Sequence, residues 1–344
     1  MTTESAKQPS IDDDGAQRIT ARERFGRIGG GQEVTLAAVI VIFGVVISVL
    51  NPAFASPGNL INLLQSTVVF FVIACGLTLV QTAGGFDFSI GSTFTLGGIS
   101  ATWLMTLGLF WPIAILAGIA FGCLVGIVNA LLIDRLNVPP IITTLGTFYF
   151  IAGAVVLFTN GVDIQPLPVG FDAFGEGTLL GIPNLIIYGV VIGVIYHLVL
   201  QKTRFGYNVK AVGGGREAAN ANGISARRTN MWLYAGAGGI AAVAGILFAA
   251  QTGSGEVSAG GASVTLTAIS AVLIGGTSLF GGVGTIVGTA LGSLLFAAID
   301  NGLAVANVPP LYSSMIIGSI LVIAVALDSY RRKRSVLSVL KVRP

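Results

Sequence analysis

Ten apolar stretches, several of them close to 20 residues long and almost free of charge, fill the chain from Val34 to Leu327. A stretch of about 20 apolar residues is what a helix needs to cross a hydrocarbon core of roughly 30 Å. The stretches run over 34–50, 67–81, 93–107, 112–133, 141–158, 185–200, 231–250, 264–274, 285–304 and 312–327. A backbone in lipid must satisfy its own hydrogen bonds, so the pattern predicts an all-α polytopic membrane protein with about ten transmembrane helices. Only 10% of the residues are charged, against about a quarter in a soluble domain. The net charge of +3 therefore does not indicate nucleic acid, because the basic residues sit beside the spans. Cys75 and Cys123 lie inside apolar runs, which argues against a disulfide framework or a zinc site and reads them as small buried hydrophobes.

The distribution of positive charge orients the spans, since Lys and Arg stay in cytoplasmic loops. Five of the 18 lie before the first stretch, one is Arg135, six fall between Lys202 and Arg228, and six follow the tenth stretch. With ten spans and both termini inside a bacterial plasma (inner) membrane, all 18 are cytoplasmic. Residues 1–32 read as a disordered cytoplasmic tail, too long and too acidic for a cleaved signal peptide. Residues 33–330 form the transmembrane domain, and 331–344 form a basic cytoplasmic tail.

The one sizeable polar island inside is the loop 202–230. Within it, Glu217-Ala218-Ala219 predicts a short helix that begins after a flexible Gly213-Gly214-Gly215 and ends at Gly223. A short helix on an internal loop suits a docking handle for a partner. On the opposite side, Asp163, Asp172, Glu176 and Glu256 stand in loops without Lys or Arg and are expected to offer an acidic docking face or an ordinary solvated one.

Two further patterns bear on transport. Gly84, Gly85 and Gly91 surround Asp87 and Ser89, predicting a break in a helix that lines the translocation path. A carboxylate there caps the next helix or takes part in the path itself. Asn137-Val138-Pro139-Pro140 recurs about 170 residues later as Asn307-Val308-Pro309-Pro310, on the opposite side by the charge count. That suggests an inverted internal repeat, which is a transporter trait. Gly118, Gly122 and Gly126, and likewise Gly284, Gly288 and Gly292, form smooth stripes for close helix packing within one subunit.

No catalytic constellation is present. One His excludes a His-Glu-x-x-His site, and no Gly-Lys pair exists for a phosphate-binding loop. Gly84-Gly85-Phe86-Asp87-Phe88-Ser89-Ile90-Gly91-Ser92, the run Ala211 to Ile224 around Glu217-Ala218-Ala219, and Ala271 to Gly284 together resemble the permease subunits of bacterial ABC sugar importers of the ribose/xylose/galactose class. The resemblance covers all but the N-terminal tail. It implies a homodimeric pore for a monosaccharide or related small polyol, with a separate cytoplasmic ATP-binding subunit and an extracytoplasmic solute-binding protein. It also implies that the chain itself is not an enzyme and holds no cofactor, ATP being bound by the partner. An ion-coupled carrier using Asp87 and Asp300, or a passive facilitator, is the alternative from another class.

Overall fold

Seven helices among the described residues are long and apolar enough to cross a membrane. The computed structural model describes residues 30–309 and a few helical positions between 312 and 322. The expected tenth span and both tails fall almost wholly outside the described residues.

Helix α1 (Gly30–Leu50) starts before the expected Val34 and is tied down at once: Gln32 Nε2 donates to Ile274 O at 3.0 Å and Glu33 accepts from Thr285 Oγ1 at 3.0 Å. Over 51–65 the sequence predicts a turn and a short amphipathic piece ahead of the span 67–81; the turn is present at Pro52–Ala55, and the piece and the span form one continuous helix of 26 residues, α2 (Pro57–Thr82). Ser56 caps it and Pro57 opens it; no glycine or proline lies between Asn59 and Cys75, so nothing ends the first piece at Gln65. Helix α3 (Ile90–Thr106) is followed by α4 (Trp111–Arg135), α5 (Pro140–Thr159) and the short α6 (Phe171–Glu176). A two-residue hairpin pairs Thr178–Leu179 (β1) with Ile182–Pro183 (β2). Then come α7 (Asn184–Lys202), α8 (Arg204–Gly214), α9 (Arg216–Ala221), α10 (Ala226–Thr252), α11 (Ala262–Ile274) and α12 (Ile286–Val305).

Two expected spans are shorter than the others. At 17 and 13 residues, α3 and α11 reach about 25 and 20 Å, less than the hydrocarbon core, and each starts after a glycine-rich approach inside the protein.

Helices α2 and α10 form the centre: 83% of the apolar window of α10 is buried, against 6% for α1. They pack antiparallel, because Ala83 at the end of α2 shares a cluster with Ala226 at the start of α10, while Val69 and Val72 share another with Ala241 and Ala244. The stripe of α4 lies on α10 so closely that a Cβ on Gly126 would sit 1.9 Å from Tyr234 O. The second stripe likewise packs within the chain, Gly292 lying against Ala271.

The repeat extends well beyond the two Asn-Val-Pro-Pro segments. Shifted by 170, the bounds 57 and 82 of α2 become 227 and 252, and α10 runs 226–252. In the same way α3 answers α11 and α4 answers α12. The packing obeys the exchange: α10 lies on α4 and α3, while α2 lies on α12 and α11. Asn137 and Asn307 both adopt the left-handed conformation, at φ 53° and 56°.

Candidate functional site: a helix break joined to the basic loop

Helix α2 ends because Gly84, at φ 79°, turns the chain, its N–H meeting Gln81 O and the N–H of Gly85 meeting Val80 O. Asp87, 1% exposed, then takes the Ser89 N–H at 2.9 Å and the Ser89 hydroxyl at 2.6 Å on the same Oδ1. It thus folds the residues just ahead of α3 into a side-chain turn. Ser89 Oγ accepts from Asn129 Nδ2 at 2.8 Å, and Asn129 Oδ1 accepts from Thr147 Oγ1 at 2.6 Å. One buried hydrogen-bond chain therefore ties the break to α4 and α5. Tyr234 pins the other side by donating to Phe86 O at 2.8 Å.

A second break lies opposite, between α10 and α11. Gly253 and Gly261 turn the chain at φ 70° and 98°. The N–H of Gly260 donates to Thr95 Oγ1, and Thr265 donates to Phe88 O. A Cβ on Gly260 would lie 2.1 Å from Gly91 O, so the N-terminal ends of α3 and α11 touch backbone to backbone. Beside them, against α5, a cavity of about 90 Å³ is lined by Ser92, Thr95, Ser258 and Val155 among others. Half-helices that meet inside a transporter place free N–H groups at the path.

The basic loop differs from its expectation in one respect. The short helix is present as α9, with Glu217 and Ala218 exposed and Ala219 buried against Val212 and Ala226. Gly223 ends it at φ 80°, with Ile224 N donating to Ala219 O. Gly213 and Gly214, however, are the last residues of α8 and not a flexible lead. The physical reason is packing: a Cβ on Gly213 would lie 1.9 Å from Thr82 O, and Gly281 and Gly282 close the same junction, Gly282 N donating to Thr82 O at 2.8 Å. The three glycine-bearing motifs singled out in the sequence thus meet at one point, where the loop 202–230 touches the foot of the Asp87 break. Arg216 of α9 also pairs with Asp134 of α4.

Asp163, Asp172 and Glu176 are exposed and Glu256 is half-buried, all at the far end from the basic loop. Asp163 has a local task, accepting from Val257 N at 2.8 Å beside the Ile164–Gly255 bridge. Asp172 and Glu176 ride on α6, whose Phe171 and Phe174 pack against Trp111. Cys75 is buried and Cys123 half-buried, both free thiols. Among the described residues no group of three His, Cys, Asp or Glu is placed to hold a metal ion. Sequence reasoning missed Asn129 and Thr147, although a lone amide inside the 25-residue apolar α4 is the signal that marks a functional or structural polar contact in a span.

The family described as "Branched-chain amino acid transport system / permease component" matches residues 59–325. The ribose import permease protein RbsC of Bacillus subtilis (strain 168) is 37% identical over 321 residues, covering 93% of this chain and 98% of that one. Its counterpart in Escherichia coli (strain K12) is 32% identical over 324 residues, 92% and 99% of the two chains. The autoinducer 2 import system permease protein LsrD of Escherichia coli O9:H4 (strain HS) is 36% identical over 305 residues, 87% and 92%. No solved structure matches the chain. Matched over most of its length by the family and along nearly the whole of several import permeases, the chain belongs to this permease family and is a multi-pass permease subunit of the ABC-importer class.

Proposed function

We propose that the chain forms, as a homodimer, the path by which a monosaccharide or related small polyol enters a bacterial cell across the inner membrane. A cytoplasmic ATP-binding subunit would dock on α8 and α9 around Glu217, and an extracytoplasmic solute-binding protein on the acidic end around Asp172 and Glu176. Both termini are cytoplasmic in this reading. The observation that carries it is the junction of Gly213 with Thr82 and Gly282, because a push on the exposed Glu217 helix reaches the Asp87 break through backbone contacts. The sugar class rests on the ribose permeases. The family description names amino acids, which makes leucine the control substrate.

Uptake of ribose into proteoliposomes holding this chain, its ATPase and its binding protein tests the reading. Accumulation is expected with ATP inside reach of the ATPase and none with a proton gradient alone. Gradient-driven accumulation by this chain by itself would overturn it.

Orientation has its own test. A cysteine at Asp172 is expected to react with an impermeant thiol reagent added outside cells, and one at Asn222 to react only after lysis. Both positions are exposed, so access alone decides. The reverse labelling pattern would refute a cytoplasmic loop 202–230.

A further inference from the structure

A cavity of about 240 Å³ opens at the basic end of α4, apart from the break and from the Gly213 junction. Arg135 lines it from α4, and Arg227 and Arg228 line it from the first turn of α10, all three exposed. Ser225, also in the wall, caps α10 by accepting the Arg228 N–H at 3.3 Å. The carboxylate present is Asp134, whose side chain is 3% exposed. Its Oδ1 is already engaged by Arg216, which does not line the cavity, and by Asn230 Nδ2 at 3.3 Å. The three lining arginines therefore remain in excess. Asp134 Oδ2 is buried and has no hydrogen-bond partner. That atom faces no solvent, so what the cavity itself presents is the excess positive charge, which calls for an anion.

The walls also lead to the hydrocarbon. Leu131 lines the cavity, and Val128 and Leu124, three and seven residues earlier on the same helix face, are 42% and 55% exposed. Next in sequence to the lining Met231, Trp232 is 64% exposed, and an exposed indole suits a membrane surface.

We propose that this cavity binds the head group of an anionic glycerophospholipid, with phosphatidylglycerol as the type. The phosphate meets the three guanidinium groups, whose planar forks match phosphate oxygens, at the N-terminal end of α10. An acyl chain lies along Leu131, Val128 and Leu124. Basic pockets between spans at the membrane surface bind such heads. Seated there, the lipid bridges α4 and α10 next to the Asp134–Arg216 pair and so braces the root of the basic loop.

Native mass spectrometry of the full chain in detergent, titrated with phosphatidylglycerol, phosphatidylcholine and inorganic phosphate, tests this. Phosphatidylglycerol is expected to be retained over phosphatidylcholine by about tenfold or more, since each arginine near an anionic surface contributes roughly fivefold. Millimolar phosphate should not displace it. Arg135→Gln/Arg227→Gln/Arg228→Gln should lose the preference, and Arg228→Gln alone, at an exposed position where folding is not at stake, should lower it about fivefold. Equal retention of the two lipids, displacement by free phosphate, or an undiminished preference in Arg228→Gln and the triple variant would overturn the proposal. So would a triple variant that keeps its lipid preference but no longer co-purifies with the ATPase, because the arginines would then serve a protein contact.

Discussion

Gly213→Ala is expected to abolish ATP-driven uptake, whereas Gly214→Ala, one residue on, should leave it intact. The contrast follows from space. A Cβ at Gly213 meets Thr82 O at 1.9 Å and Gly282 N at 2.5 Å, both backbone atoms that cannot swing aside, while a Cβ at Gly214 meets nothing within 4 Å. Forcing a methyl group into a packed site costs about 1–3 kcal/mol, and the cheapest relief is for α8 to lift off the foot of the break. That is the contact through which nucleotide-driven motion would reach Asp87. Both glycines end a helix in which alanine is the better helix former, so local propensity cannot explain a difference between the variants. Uptake by whole cells, with membrane levels of each variant compared by immunoblot, measures the effect. Equal transport by the two would remove the junction from the coupling route.

Asp87 should tolerate loss of charge and not loss of its acceptor. Asp87→Asn keeps an oxygen at Oδ1 for the Ser89 N–H and hydroxyl, and is expected to retain most transport. Asp87→Leu leaves the Ser89 N–H and hydroxyl without their present partner and frees the hydroxyl that accepts from the Asn129 amide to turn away. Each buried group stranded in this way costs about 1–3 kcal/mol, so the leucine variant should lose most transport and melt earlier in detergent. Abolished uptake in the asparagine variant would instead assign a task to the carboxylate charge itself.

Hydropathy and charge carried most of the architecture, because α1, α4, α5, α7, α10 and α12 are long apolar runs between polar ends. They also placed α3 and α11, expected over 93–107 and 264–274 and found at Ile90–Thr106 and Ala262–Ile274, but did not reveal that both begin at a break within the bundle. The glycine-rich approaches at 83–89 and 253–261 hold few charges, so a hydropathy window does not register that the helices start inside the protein. Gly213 and Gly214 mislead in another way. Local signals read paired glycines as a flexible lead, but the missing Cβ at Gly213 is required by Thr82, 131 residues away in sequence, and such a contact has no local trace. The hydrogen-bond chain through Asn129 and Thr147 was half legible: the polar residues stand out in their apolar runs, but only the fold reveals that they converge on Ser89. The recurrence of Asn-Val-Pro-Pro, by contrast, reported the whole repeat, since both asparagines occupy the same unusual backbone conformation.

The inverted repeat carries a consequence for how such a gate is powered. Turned over, α2–α4 correspond to α10–α12, so a form in which the 83–89 side yields has a mirror-topology counterpart in which the 253–261 side yields. The two arrangements use corresponding helices in exchanged roles, although α10 packs more extensively on α4 and α3 than α2 does on α12 and α11, so the balance between them leans to one side. Tipping a two-state balance from 1:99 to 99:1 takes about 5.5 kcal/mol of differential binding. Differential binding of that size at one small contact would then be enough to reverse the membrane domain.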